Sequence, residues 1–287
     1  MAEVAAEPHE VVIEPDERWL RLPWRELWEY RDLLVLLVQR DFIARYKQTL
    51  LGPAWFIVQP VLTTIVFAIV FGRIAGIPTD GIPSPLFYMC GLLGWNYFAQ
   101  TITSGGGTFV NNAHLFTKVY FPRLVVPLSV TIANLFTLAL QFIPFAAFFI
   151  YYKFIRPEFS GVQPDWRVLL LPLPVLHLAL LALGVSLWMS ASTAKYRDLV
   201  HLNQFLVQLW MFATPVIYPL SQVSEKWAWL IWANPASVPV EAFRICLLGR
   251  GTLLPMAVAL SAGMTLVLLT TSVIAFRRVE GTVADSV

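Results

Sequence analysis

Val168-Leu-Leu-Leu-Pro-Leu-Pro-Val-Leu-His-Leu-Ala-Leu-Leu-Ala-Leu-Gly-Val-Ser-Leu-Trp-Met-Ser190 contains no Asp, Glu, Lys or Arg. A hydrocarbon core of roughly 30 Å is crossed by about 20 apolar residues in a helix, which satisfies its own backbone hydrogen bonds where water is absent. The stretch therefore reads as a membrane span. Five more stretches qualify, at 53–71, 86–102, 124–151, 199–217 and 253–276. The second is the shortest and runs into Gly105, Gly106 and Gly107, which leaves its cytoplasmic end the least defined.

Composition agrees. Hydrophobic residues make up 57% of the 287 and charged residues 13%, where a soluble domain carries roughly a quarter charged. The mean hydropathy is +0.66. A net charge of +2, with Arg and Lys dispersed along the chain, excludes a nucleic-acid footprint. Cys90 and Cys246 lack metal-ligand spacing, and Cys90 reads as a buried thiol.

The N-terminal tail holds Glu3, Glu7, Glu10, Glu14, Asp16 and Glu17 where a secretory signal would be basic and then apolar, so the expectation is a retained, disordered cytoplasmic tail. With that end inside, 13 of the 20 Arg and Lys residues fall on the cytoplasmic side and 7 on the other, which favours both termini inside. The expected organisation is an acidic tail over 1–23, an amphipathic interface helix over 24–50, a six-helix transmembrane domain over 51–278 and a cytoplasmic tail over 279–287.

Two segments do not fit a crossing. Residues 24–50 favour a helix, and Glu29, Asp32, Gln39, Arg40 and Lys47 share one arc of roughly 100°. Such a helix lies along the interface, with its apolar face in the headgroups. Asp41 and Arg45 fall on that apolar side, spaced to pair at i, i+4. The polar arc is either the outer side of an anchor or a docking surface. The second segment, 218–251, contains two apolar runs, 227–232 and 240–248, separated by Asn234-Pro235. Each is too short to cross. They read as a re-entrant helical hairpin or as two helices lying flat with Trp residues at the interface.

Catalytic signals are missing. There is no G-x-x-x-x-G-K-[ST], H-E-x-x-H, G-x-S-x-G or C-x-x-C, so the chain reads as a non-enzyme that binds no cofactor or metal of its own. The polar residues inside the spans are Gln59, Gln100, Asn134, Gln141, His177, Asn203, Gln204 and Gln208. An ion-coupled transporter places charge at mid-membrane, so this set argues against one. The amides are expected to join helices, and His177 to be hydrogen-bonded between them. Among the aromatics, Trp55, Phe56, Trp95, Tyr97, Trp210 and Tyr218 are candidates to line a channel for a sugar polymer, because ring faces accept C–H surfaces without fixed hydrogen bonds. Pro60, Pro144, Pro172, Pro174 and Pro215 are expected to kink the bundle.

The run Gln39-Arg-Asp-Phe-Ile-Ala-Arg-Tyr-Lys-Gln-Thr-Leu-Leu-Gly-Pro-Ala-Trp55 with Gln59-Pro60 resembles the N-terminal signature of type 2 ABC export permeases, in particular those exporting O-antigen, capsule or teichoic acid chains. Gly91-Leu-Leu-Gly-Trp-Asn-Tyr-Phe98, the stretch from Asn111 to Arg123, Lys195-Tyr-Arg-Asp198 and Pro215-Val-Ile-Tyr218 with Asn234-Pro235 and Phe243-Arg244 match in the same order. The resemblance spans about residues 25–278. It implies a homodimer in the bacterial inner membrane, served by two copies of a separate ATP-binding subunit that carries the ATP and Mg. The substrate implied is lipid-linked polysaccharide. It assigns ATPase docking to Arg31, Gln39, Arg40, Asp41, Arg45 and Lys47, and a coupling loop to Asn111, Asn112, His114, Lys118 and Arg123. It favours the re-entrant form of the hairpin, with Trp227, Asn234, Pro235, Glu241 and Arg244. The acidic extension and the Pro172-x-Pro174 pair depart from the pattern. The competing expectations are a small-lipid or drug exporter of the same architecture, an integral membrane glycan transferase and a non-catalytic scaffold.

Overall fold

A computed structural model describes residues 24–116, 118, 121–156 and 165–284; the acidic tail expected over 1–23 lies outside them. The described residues contain helices and connecting turns but no strand. In chain order the helices are α1 (Trp24–Glu29), α2 (Arg31–Ala44), α3 (Trp55–Phe67, continued as a π-helix over Ala68–Ile74), α4 (Ser84–Gly105), α5 (Thr108–Asn111), α6 (Ala113–Phe116), α7 (Val125–Phe154), α8 (Pro172–Lys195), α9 (Leu199–Phe212), α10 (Glu225–Ala233), α11 (Ser237–Leu248) and α12 (Pro255–Ala284). The boundary expected at residue 278 falls inside α12.

Four helical stretches are long and apolar enough to cross a membrane: Gly52–Ile74, Val125–Phe154, Trp166–Lys195 and Pro255–Gly281. They match the expected first, third, fourth and sixth spans. The other two expected spans correspond to α4 and α9. α4 has 22 residues, about 33 Å of helix, but carries Asn96, Gln100 and three glycines. It can do so because it is the central helix, with α3, α7, α8, α9 and α11 packed around it. Phe87, Tyr88, Leu93, Phe98 and Ile102 are all at most 1% exposed. α9 has 14 residues, about 21 Å, and stops short of a full crossing.

Polar side chains and close backbone contacts hold the bundle, as expected where lipid gives apolar faces no reason to associate. Asn134 Nδ2 donates to Thr101 Oγ1 at 3.0 Å between α7 and α4. Asn203 Nδ2 donates to the Ile102 carbonyl at 3.2 Å, and Thr193 Oγ1 to the Gly106 carbonyl at 2.7 Å. Together these fix the end of α4 to α8 and α9. Gln204 and Gln208 are exposed on α9 and join nothing within the bundle. On the other side of the core α12 lies along α8. A Cβ at Gly184 would stand 3.2 Å from the backbone nitrogen of Leu269, so glycine sets the spacing of that seam.

Candidate functional site at the two ends of the bundle

At one end α1 and α2 meet α7. The 24–50 segment is broken at Tyr30 and ends in turns after Ala44, with Gln48 at φ 66°. Its inward residues are Leu33, Leu34, Leu37, Val38, Asp41, Phe42 and Arg45, a helical i, i+3/i+4 stripe that packs on α7. Apolar residues also stand outward, with Trp28, Val35, Leu36 and Ile43 exposed. The apolar remainder of the helix thus divides between a stripe against α7 and residues that stand outward.

The expected Asp41–Arg45 pair is replaced by separate contacts. Asp41 Oδ1 accepts from Arg40 Nε at 3.0 Å and Nη2 at 2.8 Å, and Asp41 Oδ2 from Ser129 Oγ at 3.2 Å. Arg45 Nη1 donates to Thr137 Oγ1 at 3.1 Å. Burial lowers the Arg45 pKa, and the Asp41 carboxylate opposes that shift. Asp41 and Arg45 thus seat α2 on α7. Arg31, Gln39, Arg40 and Lys47 remain exposed.

The expected coupling loop forms α5, α6 and the turn before α7. Thr117, Val119 and Tyr120 lie outside the described residues. Asn111, His114 and Lys118 are exposed. Asn112 Nδ2 is turned back to the Thr108 carbonyl at 3.1 Å. Arg123 is half-buried. Its backbone N–H donates to Glu280 Oε1 at 3.0 Å and its Nη1 to the Glu280 carbonyl at 2.9 Å. The contact with Glu280 was not legible in the sequence, because nothing near it points to a partner 157 positions earlier.

At the other end stand α10 and α11, which coincide with the two short apolar runs. α10 is outward, with Trp227 62% and Trp229 65% exposed, whereas α11 is almost wholly buried. Asn234 sits between them and uses its whole side-chain capacity. Its Oδ1 accepts from Trp210 Nε1 at 2.9 Å and Ala236 N–H at 3.0 Å. Its Nδ2 donates to the Ala213 carbonyl at 3.1 Å and Thr214 Oγ1 at 2.9 Å. The Pro235 carbonyl accepts from Ser261 Oγ on α12 at 2.8 Å, and His177 Nε2 lies 3.2 Å from Ser261 Oγ and 3.0 Å from Thr265 Oγ1. Ser261 and Thr265 also donate to carbonyls, and the His177 ring joins α8 to α12 through their hydroxyls.

Arg244 is 2% exposed and Glu241 3%. Arg244 Nη1 reaches Glu241 Oε2 at 2.9 Å and Nη2 the Val216 carbonyl at 3.0 Å, with its guanidinium carbon 4.1 Å from the Phe87 ring centre. Glu241 Oε1 accepts from Thr252 N–H at 3.2 Å. Both residues were singled out in the sequence as hairpin residues; their pairing and burial were not.

The channel aromatics divide. Trp95 and Tyr97 are 3% and 2% exposed and pack inside the core. Phe56 stacks on Phe42 at 5.6 Å, and Trp210 packs on Phe98 at 5.2 Å. Tyr218 is partly exposed and donates to the Phe212 carbonyl at 3.3 Å. Trp55 stands outward at 44%.

A family model described as ABC-2 type transporter matches residues 32–248. The chain is 35% identical over 205 residues to the O-antigen export system permease protein RfbA of Myxococcus xanthus, covering 70% of this chain and 74% of that one. It is 30% identical over 217 residues to a protein of the same name from Klebsiella pneumoniae, covering 74% and 79%.

Proposed function

The chain belongs to the ABC-2 type transporter family, and from that membership we propose that it is the membrane permease through which O-antigen, as lipid-linked polysaccharide, leaves the cytoplasm. The observation that carries this reading is the match along 70% of the chain to an O-antigen export permease. The chain lacks a P-loop, so the energy comes from a separate ABC ATPase that holds the ATP and Mg. Two such subunits serve a homodimer of this chain in the inner membrane, with both termini in the cytoplasm.

In that dimer α3, α4, α7, α8, α9 with its following turns, and α12 make six crossings. α4 needs little apolarity because protein surrounds it, and α9 is extended by 213–219. The hairpin of α10 and α11 dips into the outer leaflet, supported by the burial of α11, since irregular backbone at that depth must lie against protein or water. Only 11% of the most apolar window of the first span is buried. That leaves α3 free to meet a second protomer or lipid, and the polymer passes between protomers.

Full-length protein purified alone should hydrolyse no ATP, and hydrolysis should arise only when an ABC subunit with a P-loop co-assembles. Sustained turnover by this chain alone would end the reading. Docking is probed best at Lys47, because Arg40 is committed to Asp41 and its reversal would disturb the α2–α7 seam. Lys47→Glu should weaken co-purification of the ATPase while stability stays within about 0.5 kcal/mol, as for an exposed side chain. Undiminished co-purification would remove Lys47 from the docking face.

A further inference from the structure

Glu280 occupies an unusual place. It stands in the last turns of α12, where the carbonyl end of the helix dipole disfavours a carboxylate. The same carboxylate meets the turn that leads into α7, accepting the Arg123 N–H. The Arg123 side chain returns a bond to the Glu280 carbonyl. The two residues are thus joined reciprocally, tying the end of α12 to the turn before α7.

An aromatic column runs beside this joint. Phe276, one turn before Glu280 on the same face of α12, is fully buried and stacks on Phe109 with ring centres 4.7 Å apart. Phe116 lies 5.8 Å from both Phe109 and Phe121, and the Arg123 guanidinium sits over Phe116 at 5.4 Å. α5, α6 and the turn at 121–123 are therefore attached to α12 by stacking and by paired hydrogen bonds. From Glu280, α12 runs as unbroken α-helix back to Ser261, about 28 Å at 1.5 Å per residue. There Ser261 Oγ holds the Pro235 carbonyl of the hairpin turn. Between these ends α12 is seated on α8 at Gly184, which stiffens it.

We propose that Glu280 is a positioning residue that makes the 108–123 segment and α12 one mechanical unit, and that α12 carries displacement of that segment to the hairpin turn at Pro235. This rests on the reading of the chain as a permease whose 111–123 segment is driven by an ABC ATPase. It assigns to the last helix a task distinct from lining a path. The moving element at the far end is α10, which is exposed, while α11 stays fixed in the core through Glu241 and Arg244.

The test uses the full-length chain in complex with its ATPase, with a nitroxide at Trp227→Cys; Cys90 and Cys246 are buried and leave that site as the reactive thiol. ATP should change the accessibility of the label to an aqueous relaxant. Glu280→Ala should shrink that change about tenfold, within the range of a lost coupling interaction, while complex yield and ATP hydrolysis stay within about twofold. Glu280→Gln, which keeps an oxygen for the Arg123 N–H, should restore most of it. Ser261→Ala cuts the other end of α12 and should give the same loss, which keeps the test decisive if Glu280→Ala fails to fold. An undiminished change in Glu280→Ala or Ser261→Ala overturns the proposal, as does the absence of any change in the otherwise unsubstituted complex while ATP is hydrolysed. Failure of any ABC ATPase to assemble with the unsubstituted chain would instead overturn the functional reading beneath it.

Discussion

Arg244→Leu should destabilise the bundle by about 3–5 kcal/mol, the cost expected when one member of a buried ion pair is removed and the other is left uncompensated. The guanidinium supplies two hydrogen bonds and a cation–π contact with Phe87 from a side chain that is 2% exposed. Without it Glu241 keeps only the Thr252 N–H, and the Val216 carbonyl loses its donor. Arg244→Lys should recover little, because an ammonium offers neither the fork nor the flat face. The double variant Glu241→Gln/Arg244→Met should be more stable than Arg244→Leu, since it removes the unpaired charge. Thermal unfolding of the purified variants in detergent checks the order. A double variant less stable than Arg244→Leu would show that local packing, not the buried charge, dominates. Gly91 belongs to the same construction: a Cβ there would stand 3.0 Å from the Val216 carbonyl and 3.2 Å from Arg244 Nη2. The glycine in Gly91-Leu-Leu-Gly94 therefore makes room for the arginine.

The elements most legible in the sequence were those whose environment is simple. The runs that became α3, α7, α8 and α12 face lipid for much of their length, so hydropathy alone marks them. The hairpin helices were marked by Asn234-Pro235, which ends one helix and precedes the next. α4 was found by hydropathy, but its centrality was not, because a helix enclosed by protein can exchange apolar residues for Asn96 and Gln100. The packing of α2 on α7 was not legible for a related reason. A periodic pattern separates polar from apolar, but it does not distinguish an apolar stripe against α7 from one against headgroups. Asp41 and Arg45 looked like a pair because spacing along one helix was all that could be seen; Ser129 and Thr137, about ninety residues away, supply the partners. Arg123 and Glu280 show the same gap at longer range. Spacing within a turn of helix could be read, but the partner each side chain takes depends on tertiary packing and could not.

Asn234→Ala should loosen the hairpin turn without unfolding the protein. Four hydrogen bonds end at this side chain, and their loss leaves the Trp210 indole N–H and the Ala213 carbonyl to find other partners. At about 0.6 kcal/mol for a typical side-chain bond between membrane helices, and more where a donor is orphaned, the expected cost is about 2–3 kcal/mol. Asn234→Asp separates the two halves of the site: it keeps acceptors for Trp210 and Ala236 but turns a carboxylate toward the Ala213 carbonyl, so it should rescue only partly. The protein carries its own reporters. Cys246 lies on α11, 6% exposed, and Cys90 lies fully buried on α4. A hairpin turn released from α9 should admit a maleimide to Cys246 at least several-fold faster while Cys90 stays protected. Equal acceleration at both thiols would mean global loosening, and no acceleration at Cys246 would mean that the Glu241–Arg244 clamp holds α11 alone. The first outcome follows from the division of labour in the hairpin: Asn234 ties the turn to α9 and Arg244 ties α11 to α4, which leaves α10 as the part that can move.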